Sequence, residues 1–233
     1  MSKLARLVMV LLASAFISGA AVAFEGVSIG AIGNMTTFDT NGFEQETTGD
    51  LEKTTHSVSK DKEFPSFFAE YTTPSMGNFG MTLGVEWIPG AAVLGAKSRT
   101  DTQNETEADS DDSGVYDGKA EVDNHIAIYF EPAVTINDTF GIYGKAGLAR
   151  VTVNTLESIA RGADSSAYGN EGVWGTMIGF GVKAQHSSGI FLKLEGITID
   201  YETLTLESQT GNKNKVEATP EQDSVRLAIG YNF

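Results

Sequence analysis

The last nine residues, Val225-Arg226-Leu227-Ala228-Ile229-Gly230-Tyr231-Asn232-Phe233, alternate without a break. Val225, Leu227, Ile229, Tyr231 and Phe233 fall on one side; Arg226, Ala228, Gly230 and Asn232 fall on the other. A strict period of two is a strand with two unlike faces. A large apolar face that finishes on two aromatics suits a strand whose outer side meets hydrocarbon, with the rings at the lipid–water interface. An edge strand of a water-soluble sandwich is the competing reading, and the remainder of the chain must decide between them.

The same alternation recurs along the chain. Val27, Ile29, Ala31, Gly33 and Met35 form the first such face, and Phe67, Ala69 and Tyr71 the second, with Pro65 at its start where a missing donor is tolerated. The third is Phe79, Met81, Leu83, Val85 and Trp87, bracketed by aromatics at both ends. Ile126, Ile128, Phe130 and Val134 make the fourth, then Phe140, Ile142, Gly144, Ala146 and Leu148 the fifth. Trp174, Thr176, Ile178, Phe180 and Val182 make the sixth, and Ile190, Leu192 and Leu194 the seventh. After Gly196 the apolar parity passes to Ile197, Ile199 and Tyr201, which predicts a bulge near Gly196. The terminal strand is the eighth.

The connections alternate in length. Polar stretches predict long loops over Thr37–Lys62, from Pro89 to Asn124, after Val153, and from Glu207 to Asp223. Compact turns lie at Thr72–Asn78, Asn137-Asp138 and His186–Gly189. Long loops on one side and short turns on the other are expected of an outer-membrane barrel, and a soluble sandwich has no reason to sort them so. The prediction is an all-β, antiparallel transmembrane barrel of eight strands, with ten left open by the length of the loops. Long loops would be extracellular, and short turns and both mature termini periplasmic.

The N-terminus agrees. Lys3 and Arg6 precede an apolar run from Leu7 to Ile17, and Ala21-Val22-Ala23 reads as a cleavage site. Residues 1–23 are read as a signal peptide and 24–233 as the barrel domain. The run is too short to cross a bilayer as a helix. The chain has no cysteine, which excludes disulfides, cysteine-ligated zinc and a lipid-bearing cysteine. A net charge of -15 excludes a nucleic-acid partner, whose phosphates demand Lys and Arg.

Parity also assigns the inner face. Glu70, Glu86, Glu131 and Glu195 point inward, as do Lys145, Lys183, Lys193 and Arg226. Unpaired charge in a dry lumen is expensive, whereas paired charge can be held. Eight strands leave an interior that side chains fill, so the set is read as a lumenal charge network that plugs the barrel. Inward glycines such as Gly84, Gly147, Gly179 and Gly181 leave room for Phe68, Tyr129, Tyr143 and Met177.

Chemistry beyond this is sparse. The loops carry most of the negative charge, and hydration or divalent-cation bridging would each use it. Asp109, Asp111 and Ser113 imitate the start of a calcium loop, with Asp117 nearby, but Ala120 stands where a bidentate Glu should be. Of three histidines, His186 lies in a turn, His56 in a loop, and His125 too far along its strand from Glu131 to bond it directly. Neither an enzyme nor a resident cofactor is expected.

Gly141-Ile142-Tyr143-Gly144-Lys145-Ala146-Gly147, Gly179-Phe180-Gly181-Val182-Lys183, Phe191-Leu192-Lys193-Leu194-Glu195-Gly196 and the terminal strand resemble the small outer-membrane β-barrel family. That family groups opacity-type surface proteins and eight-stranded porin-family proteins of Gram-negative bacteria. The resemblance implies that Val225, Leu227, Ile229, Tyr231 and Phe233 form an assembly signal read by the barrel-insertion machinery. Outer-membrane lipid and lipopolysaccharide are the expected surroundings; the oligomeric state is left open, with a monomer as the leading expectation. It carries no single function. The expected role is a structural or surface-interaction barrel, with a narrow porin for small cations or other solutes as the alternative. A channel for hydrophobic ligands is disfavoured by the eight inward charges.

Overall fold

The computed structural model describes residues 25–45, 53–101, 114–158, 168–209 and 213–233. Residues 1–23, read above as a signal peptide, and Asp109, Asp111 and Ser113 lie outside the described residues. Ten segments are strands: β1 (Gly26–Gln45), β2 (Lys53–Thr72), β3 (Phe79–Ile88), β4 (Ala92–Asp101), β5 (Gly114–Thr135), β6 (Phe140–Ser158), β7 (Glu171–Gln185), β8 (Ile190–Tyr201), β9 (Leu204–Glu207) and β10 (Lys215–Asn232).

They occupy eight positions in a closed antiparallel ring, in the order β1-β2-β3-β5-β6-β7-β8-β10, with β10 pairing back on β1. The closing ladder runs unbroken from Ser28↔Asn232 to Gln45↔Lys215, so the barrel has no free edge between its first and last strands. β4 continues β3 beyond the break at Pro89-Gly90: β3 pairs the Thr135 half of β5 and β4 the Gly114 half. In the same way β8 and β9 share β10. Eight ring strands, two of them interrupted, therefore account for all ten segments.

The outward faces are those the alternation assigns. Val27, Tyr71, Leu83, Trp87, Ile128, Phe130, Ile142, Trp174, Phe180, Ile190, Ile229 and Phe233 are all exposed. Such a belt of apolar side chains would be a liability in water and is at home in hydrocarbon. From Phe79 to Trp87, at ~3.4 Å per residue and a tilt of about 40°, the belt is ~20 Å tall. Tyr231 and Phe233 pack edge to face at 5.1 Å at the short-turn end.

Two expectations are corrected. The long polar stretches are mostly strand, because β1 and β2 each continue for 20 residues and remain paired as far as Gln45↔Lys53. Their composition looks loop-like because they have left the hydrocarbon and can be polar on the outer face. Nor is there a bulge at Gly196, through which both ladders run in register, as Phe180↔Gly196 and Val225↔Gly196. Ile197, Ile199 and Tyr201 keep the inward parity of Lys193 and Glu195 and are buried in the lumen. Register shifts lie instead between Asp123 and Ile126 of β5, where Asn124 has φ 51°, and between Val93 and Gly95 of β4.

A closed antiparallel ring resists detergent unfolding. Purified protein should therefore run at one apparent mass unheated and at another after boiling. Identical migration, with the protein in a soluble fraction, would contradict the barrel.

Candidate functional site

The predicted lumenal charges meet. Glu70, Glu86, Glu131, Glu195, Lys145, Lys183, Lys193 and Arg226 are all between 2% and 7% exposed. Lys193 pairs with Glu70 and lies 2.8 Å from Glu131 Oε2. The other oxygen of Glu131 is 3.1 Å from Lys145 Nζ, which is 3.2 Å from Glu195 Oε1. Arg226 pairs through Nη2 with Glu86, and its Nε is 3.7 Å from Glu195 Oε2. Acid and base thus alternate in one chain: Glu70, Lys193, Glu131, Lys145, Glu195, Arg226, Glu86. Lys183 sits at its side, with Nζ 4.2 Å from the centre of the Phe191 ring.

Hydroxyl donors complete the carboxylates. Tyr129 donates to Glu70 Oε1 at 2.8 Å, Tyr143 to Glu195 Oε1 at 2.7 Å and Ser66 to Glu86 Oε1 at 2.7 Å. Asn34 of β1 donates to Ser66 at 3.0 Å. Every position of the ring therefore contributes, seven through a charged side chain and β1 through Asn34. The two tyrosines reach their acids because facing residues lack side chains. A Cβ on Gly84 would strike the Tyr129 ring, and one on Gly181 would lie 2.5 Å from the Tyr143 oxygen. Lys145 also rests over the Tyr129 ring, 3.7 Å from its centre.

The long-loop half of the lumen is different. Ala149, Val151, Val153, Val173, Met177, Ile197, Ile199, Tyr201, Leu204 and Leu206 form one buried apolar cluster. The eight inward charges occupy only the half nearer the short turns, so the argument they supply against an apolar lumen does not reach this layer. The signal for this layer was present: the odd-numbered apolar residues after Gly196 read straight on from Lys193 and Glu195.

Among the described residues, no group of three or more His, Cys, Asp or Glu could hold a metal ion. Asp117 lies in the part of β5 paired with β4 and β6, opposite Ser98 and Ser158. His186 Nδ1 accepts the Ser188 backbone N–H at 3.1 Å and lies 3.0 Å from the Ser188 hydroxyl, so that ring organises its own turn. Val225, Leu227, Ile229, Tyr231 and Phe233 line the outer face of β10 beside β1.

Among the described residues, Arg226 is the only cation paired with Glu86. Changing Arg226 to Met should leave Glu86 buried without its cation and lower stability by about 3–5 kcal/mol. Changing Glu86 to Gln as well should recover much of that loss. Unfolding in urea from lipid vesicles measures both, and strictly additive losses would show that the two side chains do not interact.

Comparison with known proteins agrees with this architecture. The family model for the outer membrane protein β-barrel domain matches residues 7–233. OprG of Pseudomonas aeruginosa is a similar solved structure, at 14% identity and TM-score 0.47, covering 94% of this chain and 100% of that one. Ail of Yersinia pestis, the attachment invasion locus protein, is 13% identical at TM-score 0.39, covering 87% and 99%. Neisserial surface protein A is 11% identical at TM-score 0.38, covering 86% and 97%. No curated protein matches. The match over residues 7–233 assigns the chain to the outer membrane protein β-barrel domain family, whose place is the outer membrane.

Proposed function

We propose that the protein is a closed outer-membrane barrel with a structural or surface-interaction role, and that its lumen is plugged by the ionic chain. The observation that carries this reading is the run Glu70–Lys193–Glu131–Lys145–Glu195–Arg226–Glu86 across the interior. A permeation path would need water and mobile ions where these side chains hold one another, in surroundings where breaking such a pair costs several kcal/mol.

In this reading a leader ending at Ala23 directs export. Both mature termini lie in the periplasm with the turns at residues 73–78, 136–139 and 186–189, and the projecting ends of β1, β2, β5 and β10 face the exterior. The acidic sequences there meet solvent, lipopolysaccharide and divalent cations, and no catalytic step is assigned. The outer face of β10 serves as the assembly signal. Deleting Phe233 should reduce the heat-resistant barrel in outer membranes several-fold without changing synthesis, as quantified on unheated gels.

Planar-bilayer recording tests the plug. Purified protein should give no reproducible unitary conductance, while Lys145→Ala with Glu195→Ala, which removes a neighbouring acid and base together, should give small openings. Conductance from the unaltered protein, absent from detergent controls, would replace the plug with the narrow-porin alternative.

A further inference from the structure

The apolar half of the lumen contains a partly open cavity of about 90 Å³. Phe38 and Phe64 wall it on one side, Ile88, Leu94 and Val122 on another, and Val151, Val153 and Val173 behind. Three polar side chains reach it besides the acid Asp123, and two of these bond one another: Tyr201 donates to Gln222 Oε1 at 3.2 Å. Gln222 Nε2 is in turn 3.2 Å from Ser224 Oγ, and Asp123 accepts from Asn124 Nδ2 at 2.8 Å.

The third is His125. It is 7% exposed, and neither ring nitrogen has a hydrogen-bond partner among the described residues. A buried polar group without a partner costs about 1–3 kcal/mol. His125 makes no hydrogen bond to the ionic chain.

The barrel wall is also incomplete at this level. The β2–β3 ladder ends at Phe67↔Trp87, and β4 continues on β5 alone. Pro65 and Pro89, which flank that point in sequence, have no N–H to extend the ladder. The cavity therefore adjoins a stretch where β2 and β4 are not laddered to one another, level with the outward aromatics Phe67 and Trp87. Their rings stack at 6.3 Å.

We propose that this cavity is a binding site for a small uncharged molecule made of one apolar ring with a hydroxyl, a phenol in chemical class, whose hydroxyl bonds His125. A neutral imidazole offers one donor and one acceptor, and a hydroxyl group answers with the same pair. A cavity of ~150 Å³ in a dry core accepts benzene; at about 90 Å³ this space takes at most a single ring, whose further substituent must extend through the open side. Charged ligands are disfavoured because, Asp123 at the rim apart, the lining is nearly all apolar.

The test uses the refolded full-length barrel in micelles and fluorine NMR with two probes, 4-(trifluoromethyl)phenol and 4-(trifluoromethyl)toluene, against empty micelles. The phenol should bind saturably and more tightly than the toluene. His125→Phe should weaken the phenol at least tenfold while leaving the toluene within about twofold. Leu94→Trp, at the half-buried rim, should abolish both. Each variant is checked for heat-dependent migration. Should His125→Phe not fold, the preference for phenol over toluene in the unaltered protein and the effect of Leu94→Trp decide the matter. No saturable signal above empty micelles, or equal affinity for the two probes, overturns the site. The readout is binding, so it stands or falls independently of whether the barrel conducts.

Discussion

Glu131 holds two ammonium groups at once, Lys193 on one oxygen and Lys145 on the other, and the interior is built around that shared carboxylate. A lone carboxylate in such surroundings would cost several kcal/mol. Sharing removes the cost for both acids and bases, provided that the run alternates and each end is closed. Glu70 closes one end with the Tyr129 hydroxyl, and Glu86 the other with Ser66. Four of the six ion pairs join strands that are not neighbours in the ring. Glu131 on β5 reaches Lys193 on β8, Glu70 on β2 reaches the same lysine, and Glu86 on β3 reaches Arg226 on β10. The network therefore braces walls that the ladder hydrogen bonds never connect.

That brace requires space, and the backbone supplies it. Tyr129 and Tyr143 are the largest hydroxyl donors in the network, and each lies against a strand that has a glycine at the contact. Phe68 and Phe191 fill the lumen nearer the short turns, their rings 6.1 Å apart beside Ile32 and Ala228. The small residues are thus not a loosening of the barrel. They decide where a wide side chain can lie flat enough to bring its hydroxyl to an acid.

The eight charges were legible because a period of two is insensitive to strand tilt. Who pairs with whom was not, since that depends on the stagger of strands around the ring, which no single segment encodes. The projecting ends of β1 and β2 were misread as loop for a related reason: Thr, Ser, Asp and Lys on both faces look irregular unless one knows that water lies outside. Ile197, Ile199 and Tyr201 were misread in the opposite sense, because apolar parity had been equated with lipid. His125 has the parity of Glu131 and so shares its inward face, but its isolation follows from neighbours on other strands.

The two halves of the lumen follow from what lies outside each. Within the hydrocarbon, lipid is as apolar as a leucine side chain, so an apolar interior gains little over an apolar exterior. Charges cannot face lipid and are driven inward, which fixes which face is inside. Above the aromatic belt, water returns, and burying Val151, Val153, Ile199, Leu204 and Leu206 is worth roughly 1.5–3 kcal/mol for each large side chain. The inside there is apolar and the outside polar, the reverse of the code below. One strand shows how the chain crosses that boundary. In β5 the inward residues are odd-numbered at His125, Ala127 and Tyr129, while Val122 packs on the lumenal cluster with even parity. A one-residue slip turns every side chain to the other face, and the shift between Asp123 and Ile126 supplies that slip where Trp87 marks the edge of the belt.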